Sequence, residues 1–169
     1  MKGKGGFTLI ELAVALFLLA AFFLIAIPKF NDITEVNLKS SSRMLITRFR
    51  HLYNEAIFKN RVYRLSFDIE RGEYWVDYLE GNQFVPSTNP SLDRQRLPSG
   101  VRFKDVITQR TRGRALDMRE EFVLFFPTGF VEPAIIYLES ENGSIYTLEA
   151  IPYTGKLRVY DEYVDLAKR

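Results

Sequence analysis

One carboxylate, Glu11, stands in an otherwise apolar run from Phe7 to Ile27, where the hydroxyl of Thr8 is the only other polar side chain. A charge at the centre of a membrane-spanning helix costs about 2.5–3.5 kcal/mol, and less near an end. The start of a helix lowers the cost further, because its free amides carry partial positive charge. Glu11 therefore calls for a partner near a helix N-terminus, and the chemistry on offer is ion pairing.

Elsewhere, residue types that do chemistry are scarce. The chain has no cysteine and a single histidine, His51, which removes disulfides, thiol nucleophiles and His/Cys metal cages. His51 follows Arg50 on the polar side of a helical pattern and reads as a solvated residue. Glu120 and Glu121 are adjacent, so in a strand they face opposite sides and form no carboxylate pair. No P-loop, G-x-S-x-G or H-E-x-x-H sequence occurs. Asn142-Gly143-Ser144 matches a glycosylation acceptor, but Asn-Gly is first a turn dipeptide. The expectation is a protein with no cofactor and no metal that is not an enzyme.

The elements that position Glu11 follow from hydropathy. A helix over the 21 residues of the apolar run reaches roughly 31 Å, about one bilayer core. Lys2 and Lys4 flank it and keep the N-terminus in the cytoplasm, with everything after the span on the far side. The run is too long for a cleaved secretory signal, and an ordinary signal anchor does not account for Glu11. Pro28 lacks an amide hydrogen and predicts a kink or a break at the end of the span, with "KFNDITEVN" as a melted or bent linker. From Asn37, as N-cap, Leu38, Ser42, Leu45, Ile46, Phe49, Leu52, Tyr53, Ala56 and Ile57 recur at helical spacing. Lys39, Arg43, Arg48, Arg50, Glu55 and Lys59 lie opposite. After residue 61 the period changes to two. "VYRLSFD" and "EYWVDYL" predict a hairpin, and further short strands follow at "GVRFKDV", "FVLFFPTGF", "AIIYLES", "IYTLEAIPYT" and "GKLRVYDEY". Residues 81–99 read as a surface excursion and 108–121 as a loop. The fold class is α+β: a long hydrophobic N-terminal helix continuing into an amphipathic one, packed on an antiparallel β head of two small sheets.

The opening "KGKGGFTLIEL" resembles the processing site of type IV pilins and type II secretion pseudopilins. In that family a prepilin peptidase cuts after the glycine and methylates the new terminus. The resemblance implies a cut between Gly6 and Phe7, N-methylation of Phe7, and a new ammonium within one helical turn of Glu11. It also implies that Glu11 of one subunit meets the ammonium of the next. At about 4 Å and an effective dielectric near 20, that attraction is about 4 kcal/mol, comparable to the cost of burial. The second half, "RHLYNEAIFKNRVYRLSFD", "VLFFPTGF" and "IYTLEAIPYTGKLRV", resembles the H-type minor pseudopilins and related minor pilins. Their F-x-P-x-G strand end corresponds to Phe125 or Phe126, Pro127 and Gly129. Their closing hairpin corresponds to Thr154, Gly155, Lys156 and Leu157. Major pseudopilins carry a calcium loop near the C-terminus; Asp161, Glu162 and Asp165 lack the turn residues for one.

The resemblance implies a leader at 1–6, a transmembrane and fibre-core helix at 7–28, a linker and amphipathic helix at 29–60 and a periplasmic head at 61–169. It implies a single-pass inner-membrane protein that joins a periplasmic pseudopilus near its tip. Its partners would be other minor and major pseudopilins, the prepilin peptidase, the inner-membrane assembly platform and the lipid bilayer. A minor type IV pilin priming pilus assembly, or a DNA-binding subunit for uptake, is the alternative. For nucleic acid the available cations are Arg110, Arg112 and Arg114 with Lys156 and Arg158. Residues 94–119 carry a net +6 and residues 120–169 a net −5, a segregation that would steer neighbouring subunits together.

Overall fold

The computed structural model describes residues 8–111 and 120–166, apart from the side chains of 24–33. The chain divides into two units, Met1–Ile33 and Thr34–Arg169. One helix, α1 (Leu9–Phe58), accounts for 50 residues. It runs through Pro28 and through 29–36, so the break and the linker expected there are both absent. Proline removes one N–H···O bond but holds φ near the helical value. The backbone on either side stays helical. Asn37, expected as an N-cap, is an interior helix residue whose side-chain Nδ2 donates to the Ser99 carbonyl at 3.0 Å.

Beyond Thr34 most of the helical stripe is buried as its spacing requires, although Ile57, near its end, is 40% exposed. Leu38, Leu45, Phe49, Leu52 and Ala56 are wholly inaccessible. Ser41 and Ser42 join them, their hydroxyls donating to the carbonyls of Asn37 and Lys39. Arg48, expected on the solvated side, is buried as well. It donates to the carbonyls of Ser91 and Asp93, both at 3.1 Å, and its guanidinium lies 4.9 Å from the Tyr74 ring centroid. Burial pulls its pKa down, against the pull of Tyr74 and Asp93.

Nine strands are present among the described residues: β1 (Tyr63–Asp68), β2 (Glu73–Glu80), β3 (Gln83–Pro86), β4 (Gln95–Arg96), β5 (Val101–Thr108), β6 (Glu120–Phe125), β7 (Ala134–Ser140), β8 (Ile145–Ile151) and β9 (Lys156–Tyr160). They form two antiparallel sheets. The first has the order β3-β2-β1-β6, with β4 also on β2; the second has the order β5-β7-β8-β9. The surface excursion over 81–99 thus contains β3, β4 and a short 3-10 helix, Pro90–Leu92, whose N-cap is Asn89. Alternation sets the buried faces. Tyr63, Leu65 and Phe67 of β1 face one core together with Val123 and Phe125 of β6 and Ile136, Leu138 and Leu148 of the second sheet. A register shift between Phe103 and Asp105 in β5 inserts one residue and keeps both Phe103 and Val106 in that core. Edge-to-face rings join the layers: Phe49 of α1 to Phe125 at 4.7 Å, and Phe67 to Phe103 at 5.4 Å.

The other face of the second sheet is covered by the C-terminal segment. Tyr163 stacks on Tyr137 at 5.1 Å, the Tyr137 hydroxyl donates to the Val164 carbonyl, and Thr147 Oγ1 donates to the Glu162 carbonyl. Leu166 closes a small second cluster with Ile135 and Tyr137. Burial raises the Tyr137 phenol to a pKa of about 12, with the nearby Tyr163 adding to the shift.

Candidate functional site

Thr8 and Glu11 cap their own helix. The Glu11 amide donates to Thr8 Oγ1 at 3.3 Å, and the Thr8 amide donates to Glu11 Oε2 at 3.5 Å. This reciprocal pair is a capping box, written in the sequence as Thr-Leu-Ile-Glu. Both contacts are long and both residues are exposed, so the carboxylate keeps capacity for a stronger partner. The capping spacing was the signal that sequence reasoning passed over; it assigns Glu11 a local role beside the one expected between subunits. Gly6 and Phe7 lie outside the described residues. No helix among the described residues is long and apolar enough to cross a membrane. The expected span, 7–27, extends at both ends beyond the side chains described.

The cations of 94–111 are spent inside the head. Arg94 and Arg96 bind Glu73 at 3.0 and 2.8 Å, and Arg102 and Lys104 bind Glu139 at 2.6 and 2.7 Å. Strand register makes these pairs, since Arg96 lies opposite Glu73 and Arg102 opposite Glu139. Among the described residues, Arg102, Lys104 and Arg110 are thus paired with carboxylates of the acidic half, Glu139, Glu121 and Glu132, and Arg94 and Arg96 with Glu73. Glu73 is held below the ordinary carboxylate value first by its bond to Arg94, and Glu139 first by its bond to Lys104.

Arg110 is committed in the same way. Its guanidinium binds Glu132, Glu121 at 2.9 Å and the Phe122 carbonyl, and covers the Phe122 ring at 3.8 Å. Burial works against its charge, but the bonds to Glu132 and Glu121 outweigh that and raise its pKa. Arg158 binds Glu149 at 3.3 Å, and Lys156 is exposed. Arg110 follows β5 and Arg158 lies in β9, the two edges of the second sheet. Two intervening strands separate those edges by about 14 Å, so these cations do not converge. Arg112 and Arg114 lie outside the described residues.

The two glycines of the head motifs frame one ring. A Cβ on Gly155 (φ +60°) would sit 2.3 Å from Tyr53 Cγ, and one on Gly129 (φ +77°) 3.3 Å from the Tyr53 hydroxyl. Positive φ and close approach together require glycine at both places. The motif thus builds the seat against which α1 rests. Asn142 Oδ1 accepts from the Ser140 hydroxyl and the Ser144 amide, a turn-forming arrangement.

His51 is not the solvated residue its neighbours suggested. The 3-10 segment at 90–92 covers that side of α1, and His51 Nε2 is buried with no hydrogen-bond partner. A groove of about 490 Å³ lies there, between α1 and residues 91–95.

Residues 1–27 match the prokaryotic N-terminal methylation motif. The fold is similar to that of the minor pseudopilin EpsH from the type 2 secretion system of Vibrio cholerae, at 16% identity and a TM-score of 0.62, over 79% of this chain and 99% of that one. It is similar to E. coli GspH at 10% identity and a TM-score of 0.60, over 80% and 95%. It is also similar to the type IV minor pilin FimU of Pseudomonas aeruginosa at 12% identity and a TM-score of 0.51, over 81% and 95%. A comparison with curated proteins found no match.

Proposed function

We propose that this chain is a minor pseudopilin, a structural and assembly subunit at or near the tip of a periplasmic pseudopilus of a type II secretion system. The observation that carries the reading is the joining, in one chain, of the N-terminal methylation motif to a head similar in fold to minor pseudopilins. The subunit is inserted with its N-terminus in the cytoplasm, cut between Gly6 and Phe7, methylated at Phe7 and held in the inner membrane by the apolar run. On assembly the Glu11 carboxylate exchanges its long capping contacts for the ammonium of a neighbour. The lipid bilayer, the prepilin peptidase, the assembly platform and the other pseudopilins are its partners, and its work is mechanical rather than catalytic.

A clean deletion tests the reading, assayed in one culture for exported enzymes in the medium and for surface pili. Enzymes trapped in the periplasm with pili intact are expected. Lost pili with normal export would move the chain to the type IV pilus, the reading that its likeness to FimU favours. The commitment of Arg110 and Arg158 to carboxylates speaks against a DNA-binding head.

A further inference from the structure

Among the described residues the sheets end in β3 and β6 on one side and in β5 and β9 on the other. An edge strand offers its free amides and carbonyls to any extended chain that meets it. Three of these edges are blunted. On β6, Phe122 and Leu124 turn their backbone groups away from β1, and all of them are taken. The Phe122 amide donates to Glu121 at 2.9 Å, and its carbonyl accepts from Arg110. The Leu124 amide donates to Glu132 Oε2 at 3.3 Å, and its carbonyl accepts from the Glu132 amide at 2.9 Å. On β5 the outward amides of Val106 and Thr108 donate to Asp105 and Thr111, both at 2.8 Å. β3 is short and ends in Pro86, which has no amide hydrogen to offer.

β9 is open. The Ser140 amide bonds the Ser144 carbonyl, and alternation from that pair turns the backbone groups of Thr147, Glu149 and Ile151 toward β9. There they face Tyr160, Arg158 and Lys156. The amides and carbonyls of Leu157 and Val159 therefore point away from β8, where they meet no partner among the described residues. The Val159 side chain faces inward beside Leu148, yet it is 37% exposed where Leu148 is wholly covered. The chain beyond β9 leaves this edge, because Glu162, Tyr163 and Val164 cross β8 and β7 on the outer face. Basic residues commonly guard edges, but Arg158 is turned back onto Glu149 of β8 at 3.3 Å.

We propose that β9 receives an extended strand from a different protein beside it in the fibre, which becomes the next strand of the second sheet. The backbone of the donor pairs with the outward groups of Leu157 and Val159, and one of its apolar side chains covers Val159. The contrast between edges selects a strand as the occupant: charged side chains close β6, and β9 has no such closure. A second copy is a poor donor. Its own open edge is β9, and pairing β9 with β9 would set Lys156 and Arg158 against like charges. A single donor completes the edge, so the contact does not propagate from copy to copy. This deepens the fibre-subunit reading and rests on it.

The absence of native cysteine makes the test direct. Full-length Val159→Cys should react with a polyethylene-glycol maleimide in detergent, and about tenfold more slowly once the chain is in fibres. Val159→Pro removes the outward amide and leaves the ladder with β8 untouched; it should lower recovery of the chain in fibres roughly tenfold. Val159→Thr keeps both the amide and the branched shape and should be recovered at the unaltered level. The cysteine measurement stands even where the proline variant fails to fold. Equal reactivity of Val159→Cys in detergent and in fibres, or equal recovery of the proline and threonine variants, overturns the proposal. A disulfide between two Val159→Cys copies would make a second copy the donor and overturns it as well. Absence of the unaltered chain from fibres overturns the fibre reading instead.

Discussion

The Glu11 carboxylate touches the Thr8 amide at 3.5 Å, at the outer edge of hydrogen-bond length. Capping and pairing make different demands on this side chain, and one substitution separates them. Glutamine caps but carries no charge. Glu11→Gln and Glu11→Ala should both insert and be processed normally, and both should enter fibres roughly tenfold less well if charge is what assembly uses. Incorporation of Glu11→Gln at the unaltered level would assign the residue to capping. A second residue-scale expectation concerns Asp105, whose carboxyl is pushed above its ordinary value of 3.8 by burial, with the charge of Glu121 adding to it. Its folded form favours the proton, so its contribution to stability is full in acid and is lost as pH rises through the folded value. Asn retains the acceptor that Asp105 Oδ1 offers to the Val106 amide. Asp105→Asn should raise the melting temperature of the full chain in detergent by about 2–4 °C near neutral pH. No gain there, or an equal gain in acid, would remove burial of charge as the cause.

At the scale of elements, the tight seat at Tyr53 gives the sharpest expectation. Gly155→Ala meets both a positive φ and a side chain 2.3 Å away, whereas Gly81→Ala, at φ +61°, meets open space. The first should cost about 3 kcal/mol or more and the second about 1 kcal/mol, read from urea unfolding. Equal costs would mean that α1 yields at Tyr53. The same elements show what was legible in the sequence. Helical spacing named most of the buried residues of α1, because burial on a helix follows its 3.6-residue period, but not Ser41, and it counted the exposed Ile57 among them. It misplaced Arg48 and His51, because what covers them is the 3-10 segment about forty positions away along the chain. The strands of both sheets were readable from alternation, while β3 and β4 were not, being short and largely exposed. The break at Pro28 was argued from a single lost hydrogen bond and overlooked the helical backbone on both sides. Charge pairing was the least legible part, since Arg102 and Glu139 meet only through strand register.

For the molecule as a whole, pairing of that kind fixes how the head responds to acid. Bonds to Arg94 and Lys104, respectively, hold Glu73 and Glu139 below the ordinary value of 4.5. Their contribution is complete above that value and drains away as pH falls through the folded values. Urea unfolding of the full chain in detergent should therefore show a loss of stability on acidification. Glu139→Gln should flatten part of that loss; an unchanged slope would show that the pairs are not coupled to folding. The order β3-β2-β1-β6 carries a consequence in time. β1 lies between β2, its neighbour along the chain, and β6, whose Phe125 pairs with Tyr63. The first sheet therefore waits for a late partner, and such long-range closures are slow. As the chain emerges from its N-terminus, α1 and the β1–β2 hairpin are available early, with one edge of β1 still bare. A stall before β6 would leave that edge open to pairing with other chains.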